Sequence, residues 1–153
     1  MTKSLIFIII TFVIFSCKLQ PDKNSEKRAD KDRSSLIIEA DNYYEVDNIK
    51  KALTLYNELI MIDSTQAIYY YRRGYCFNQL SEFTKSTQDF LKSAEMGYRV
   101  DDAYFNIGCN FAAIYNDSIA IYYFKKTLLI NPDYKKAKNE IEYLKSSKIY
   151  SVH

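Results

Sequence analysis

Tryptophan is absent from this chain of 153 residues, and histidine occurs once, as His153 at the carboxyl end. A Ser/His or Cys/His nucleophilic pair and a histidine metal site both lack an essential partner, which argues against hydrolytic and His-ligated metal chemistry. Glycine occurs only at 74, 97 and 108 and proline only twice. That is too little for collagen-like or low-complexity structure, and too scattered for a phosphate-cradling loop. The net charge is only +2, with both signs interspersed over most of the chain, a poor footprint for nucleic acid. Of the three cysteines, Cys76 and Cys109 fall at different phases of their helices and read as buried free thiols rather than a disulfide. The paired Asp101-Asp102 reads as a favourable start to a helix rather than an acid-catalytic dyad. Together these point to a non-enzyme without metal or cofactor.

What the chain has instead is a period. Ala40, Gly74 and Gly108 are spaced by 34 residues, and so are Tyr43, Phe77 and Phe111; Ala52, Ser86 and Ala120; and Tyr56, Phe90 and Phe124. Small and aromatic residues that keep phase through three units describe a helical-hairpin repeat, whose hairpins cannot bury their apolar faces alone and must stack. Two antiparallel helices approach closely where small side chains meet, the role expected of Ala40 with Ala52, Gly74 with Ser86 and Gly108 with Ala120. The expected organisation is all-α: three units at about 34–66, 67–100 and 101–134, a capping helix at 135–147 with Ala137, Ile141 and Leu144 on one stripe, and a frayed tail at 148–153. Turns are expected at Asp47-Asn48, Gly97 and Asn131-Pro132.

Charge is distributed unevenly along the array. Residues 34–66 carry Lys50 and Lys51 against Glu39, Asp41, Glu45, Asp47, Glu58 and Asp63, whereas the segment from Lys125 onward is rich in Lys. Self-association end to end through these poles is one reading of that asymmetry, and a solvated terminal helix is the other.

The amino terminus reads as an address. A single Lys3 precedes the apolar run Leu5 to Phe15, and the uncharged window between Lys3 and Lys18 is 14 residues, about 21 Å of helix against a hydrocarbon core of roughly 30 Å. A signal peptide at 1–16 fits this better than a membrane span. Residues Lys18 to Arg33 include ten charged side chains and no helix-face periodicity, so 17–33 is expected to be a disordered tether.

Two resemblances add to this. Ile14-Phe15-Ser16-Cys17 resembles the lipobox of bacterial lipoproteins, although Phe15 is bulky for its position. It implies that Cys17 is acylated and that the mature chain is exported and held at a membrane by lipid, with Lys18 favouring the outer membrane over the inner. Residues 34–134 resemble the tetratricopeptide repeat family, most closely in the third unit through Tyr104, Ile107, Gly108, Phe111, Ala120, Phe124 and Pro132. The resemblance implies a right-handed α-solenoid whose concave surface is lined by the first helix of each unit and binds a protein or peptide. Carried over position by position, it nominates Tyr44, Ile68, Tyr71, Tyr75, Asn78 and Phe105 as partner-binding residues. Tyr71 and Tyr75 are one helical turn apart and are expected to share that face. The basic clamp used by some members looks absent, because Ile37, Asp41 and Asp102 stand in its places. The function so implied is a non-catalytic adaptor at a bacterial cell envelope; the alternative is a structural envelope protein assembled through its poles.

Overall fold

The computed structural model describes residues 23–150, which form α-helices and connecting turns only. They are α1 (Lys23–Glu45), α2 (Ile49–Ile62), α3 (Ala67–Gln79), α4 (Phe83–Glu95), α5 (Val100–Ala113), α6 (Asp117–Ile130) and α7 (Lys135–Tyr150). The chain divides into two compact units, Met1–Ser34 and Ser35–His153. The second is an all-α helical solenoid in which each helix from α2 onward packs on the next in sequence. Cys17 and the proposed signal peptide lie outside the described residues.

The periodic rows explain the packing. Ala40, Ala52 and Ala120 are fully buried, as are Ser86 and the aromatic row Tyr56, Phe90 and Phe124. Two further rows at the same spacing are also inside: Leu59, Ser93 and Thr127, and Cys76, Asn110 and Leu144. A hairpin's first helix comes close to its second because the ring of the second needs a place without a side chain. At Gly108 an added Cβ would lie 2.5 Å from Phe124 Cε1, and at Gly74 it would lie 3.1 Å from Phe90 Cε1. The glycines therefore make room for the aromatic row, and not primarily for Ser86 or Ala120 as their spacing suggested.

A graded prediction follows from the two distances. Ala favours a helix interior by about 1 kcal/mol over Gly, so Gly74→Ala, whose Cβ needs a shift of only tenths of an ångström, should change stability by no more than about 1 kcal/mol. Gly108→Ala must displace a fully buried ring and should cost about 1–3 kcal/mol, with Gly108→Leu worse. Thermal melts of the three variants check the order; equal melts for Gly108→Ala and wild type would contradict the close contact.

The turns repeat as faithfully as the core. After α1, α3 and α5 the same pair of backbone hydrogen bonds closes each chain reversal: Asn48 N–H to Tyr43 O, Glu82 N–H to Phe77 O and Asn116 N–H to Phe111 O, each with a companion bond one residue inside it. This is the Schellman cap, which requires one left-handed residue. Asp47, Ser81 and Tyr115 fill it, each at φ 58°. Between units, Asp63 Oδ1 accepts from Thr65 N–H at 3.0 Å and Asn131 Oδ1 from Asp133 N–H at 3.2 Å. Gly97 serves the middle junction at φ 80°.

Two boundaries differ from the sequence reading. Helix α1 begins at Lys23, inside the stretch expected to be a disordered tether. After Pro21 that stretch contains no Gly or Pro and is mostly Lys, Arg, Glu, Asp and Ala; once α1 is nucleated by its packed carboxyl half, extension adds one bond per residue at little cost. Helix α7 runs to Tyr150, beyond the expected fraying point at 147, because 145–150 offers no helix stop.

Candidate functional site

Two first helices and one junction bring six side chains around a cavity of about 390 Å³: Tyr44 from α1, Tyr71, Arg72 and Tyr75 from α3, and Tyr98 and Arg99 from the turn before α5. The sequence puts them there by phase. Tyr71 and Tyr75 lie one turn apart on α3, their rings 5.2 Å apart edge to face. Tyr44 meets Tyr75 at 6.4 Å and Tyr98 meets Tyr71 at 5.4 Å, again edge to face, an arrangement that ring quadrupoles favour.

Both guanidiniums are held in place. Arg72 pairs with Asp41 of α1, which also accepts the Tyr56 hydroxyl from α2. Arg99 occupies the left-handed region at φ 44°, a strained place for a long side chain, and donates through Nε to Asp102 Oδ2 at 2.8 Å. Its guanidinium lies 5.4 Å from the centre of the Tyr71 ring. The bond to Asp102 raises the Arg99 pKa above its ordinary value, so its charge is secure. Burial raises the Tyr44 and Tyr71 hydroxyls, which keeps them neutral hydrogen-bond groups.

A polar strip continues from the cavity along α5. Asn106 Nδ2 donates to the Tyr75 hydroxyl at 3.0 Å and to the Asp102 carbonyl at 2.8 Å, and the Tyr134 hydroxyl donates to Asp102 Oδ1 at 2.7 Å. The surface thus offers aromatic faces, hydroxyls and two cations. Such a set can recognise a chain of amides and side chains; among the described residues no group of His, Cys, Asp and Glu gathers in a form that could hold a metal.

Three of the six partner-binding residues nominated from sequence converge here, and three do not. Tyr44, Tyr71 and Tyr75 line the cavity, but Tyr71 is only 5% exposed and belongs equally to the core with Phe90, Ala103 and Ile107. Ile68 packs on the core that α1, α2 and α3 form together. Asn78 is spent on Asn110, donating to its Oδ1 at 2.6 Å; Asn110 in turn donates to Ser86 Oγ at 2.9 Å. A buried amide at Asn110 needs such partners, which is why Asn78 serves the fold. Phe105 lies between Phe124 and Tyr134, with ring centres at 5.4 and 5.0 Å.

Sequence reasoning missed Arg72, Tyr98 and Arg99. Arg99 followed by Asp102 at three residues was the available signal. Cys76 and Cys109 are both free thiols, held in separate cores, and burial pushes each up to about 12. Neither carries a reactive thiolate at neutral pH.

No protein-family model matches the chain. Solved structures do. It is similar to the TPR domain of Arabidopsis OM64, with TM-score 0.69 and 23% identity over 75% of this chain and 95% of that one. It is similar to the first TPR of Spaghetti (RPAP3) bound to an HSP90 peptide, with TM-score 0.69 and 16% identity over 76% and 93% of the two chains. A third is the Yersinia enterocolitica type III secretion chaperone SycD in complex with a peptide of the translocator YopD, with TM-score 0.69 and 13% identity over 75% and 93%. The fold is that of tetratricopeptide arrays.

Proposed function

We propose that this chain is a non-catalytic protein-interaction adaptor, exported and held by lipid on Cys17 at a bacterial cell envelope, that binds a peptide or helix of a partner protein across the first helices of its repeats. The observation that carries the reading is the cavity of Tyr44, Tyr71, Arg72, Tyr75, Tyr98 and Arg99. Rigid aromatic rings give contact area at low entropy cost, and held guanidiniums give direction, which is the composition of interaction hot spots. Two of the similar structures hold peptides by their own descriptions, the HSP90 peptide on RPAP3 and the YopD peptide on SycD. They support the mode of binding without naming this chain's partner.

The anchor rests on Ile14-Phe15-Ser16-Cys17 and the apolar run before it. Several acyl chains on one cysteine supply the two or more signals that stable attachment requires, and Lys18 favours the outer membrane. Cys17→Ser removes the only atom that can take the thioether. The variant is expected to lose incorporation of labelled fatty acid and to move to the soluble fraction; a wild-type chain that takes up no label would refute the anchor. Partner binding is tested separately, by photo-crosslinking from the cavity in the native membrane.

A further inference from the structure

Tyr115 occupies the left-handed position of the α5–α6 turn, where Gly or Asn would close the same cap with less strain. Its equivalents are the small polar Asp47 and Ser81. It is 93% exposed, and Ile114 before it is 52% exposed, so this turn holds an aromatic and an aliphatic side chain out into water from a disfavoured backbone. Nothing in the packing of the chain calls for a ring there.

On the same edge of the array, between the start of α4 and the end of α5, lies an open cavity of about 560 Å³. Its apolar walls are Phe83, Phe111 and Ile114, with Glu82 and Lys85 also lining it. The last two form an ion pair at the surface. The cavity is distinct from the one that supports the adaptor reading, and none of the residues of that cavity lines it.

We propose that this edge is a self-docking surface: two copies of the chain, related by a twofold axis, each insert Tyr115 into the Phe83–Phe111–Ile114 cavity of the other. A protrusion and a recess that adjoin through Ile114 make a self-complementary patch, the condition for an isologous contact. The charges agree. Each copy brings one Glu82 and one Lys85, so a twofold can set the acid of one pair against the base of the other, and no differently charged partner is needed. A tyrosine suits the role because its ring fills an apolar recess while its hydroxyl stays at a wet rim. A contact made of one turn and one recess from each copy would belong to the class of transient interfaces below about 1,200 Å². It leaves the side that carries Tyr75 and Arg99 free.

Sedimentation equilibrium of the full chain in detergent, over a concentration series to about 1 mM, should show a monomer–dimer equilibrium in a range typical of weak association. Tyr115→Gly should weaken the association at least tenfold while the melting temperature at low concentration stays level or rises, because Gly relieves the left-handed strain. A structural role for the ring would instead lower the melt. A photo-crosslinking residue at 115 should join to residues 81–88 of a second copy. A chain that stays monomeric at about 1 mM, an association undiminished in Tyr115→Gly, or crosslinks that run only to other proteins would each overturn the proposal.

Discussion

Arg73→Leu is expected to destabilise the fold by about 3–5 kcal/mol, the usual cost of leaving one partner of a buried ion pair alone. Arg73 on α3 grips Asp89 on α4 through two bonds of 2.7 Å, from Nε and from one terminal nitrogen, and its other terminal nitrogen donates to Asn57 on α2 at 2.9 Å. Asp89 is 5% exposed. Burial raises its carboxyl above the ordinary range, and the guanidinium pulls the other way. With Leu at 73 the opposing pull is gone, so the folded-state pKa rises further above the unfolded one. The folded variant then holds a proton that the unfolded chain has released, and its stability falls as pH rises through that window. The deficit is therefore largest at neutral pH and shrinks as pH falls. Chemical denaturation of both proteins from pH 7 to pH 4 checks this; a difference that stays constant with pH would contradict the buried carboxylate as its cause.

The repeat itself suggests the remedy. Positions equivalent to 73 are Glu39, Ile107 and Ile141, and those equivalent to 89 are Leu55 and Tyr123. Arg73→Leu with Asp89→Leu should recover most of the lost stability, because the third unit fills the same pair of sites with Ile107 and Tyr123 and needs no ion pair there.

Tyr71→Ala is expected to cost a similar amount, about 3–5 kcal/mol, by opening a void beneath the central unit. The ring lies 5.5 Å from that of Phe90 and is shared between the cavity wall and the core of Phe90, Ala103 and Ile107. Tyr71 and Tyr75 do share one face, as their spacing suggests, and both line the cavity, but Tyr75 is half-buried and reaches Asn106, whereas Tyr71 also supports the fold. Tyr71→Phe keeps the ring and loses only a hydroxyl contact of 3.4 Å to Tyr75, so its melt should stay near wild type. A Tyr71→Ala variant that melted with wild type would remove the residue from the core.

Rows of like residues were legible in the sequence because apolar burial asks for the same size and character at the same phase in every unit. Ala40, Gly74 and Gly108, or Tyr56, Phe90 and Phe124, announce themselves. The rows that escaped notice occupy one place with different chemistry. Leu59, Ser93 and Thr127 are all fully buried, but Ser93 and Thr127 earn their places by donating to the backbone carbonyls of Tyr98 and Asp101. Cys76, Asn110 and Leu144 share one position, and only Asn110 brings a hydrogen-bond network with it. Apart from the Ser93 bond, which spans 5 residues, such bonds join residues 23 to 26 apart, where no local pattern reveals them.

The same reason limited the reading of the site. A first-helix phase puts Tyr44 and Tyr75 on one side of the repeats, and both line the cavity, since such a stripe follows from helical geometry. Arg99 comes from a junction whose left-handed backbone decides where the guanidinium goes, and Arg72 is aimed by its pairing with Asp41 across two helices. The disordered tether was expected from its charge and its lack of helix-face periodicity, and neither prevents helix growth from an ordered end.

The central claim is that partners bind across the first helices, at the cavity of Tyr44, Tyr75 and Arg99. The measurement that tests it most directly places a photo-crosslinking residue at Tyr44 in one full chain and at Leu129, which is 82% exposed on α6, in another, and irradiates both in the native membrane. The account predicts a partner adduct from position 44 that disappears with Arg99→Gln, and none from position 129. An adduct from 129 with none from 44 would contradict it.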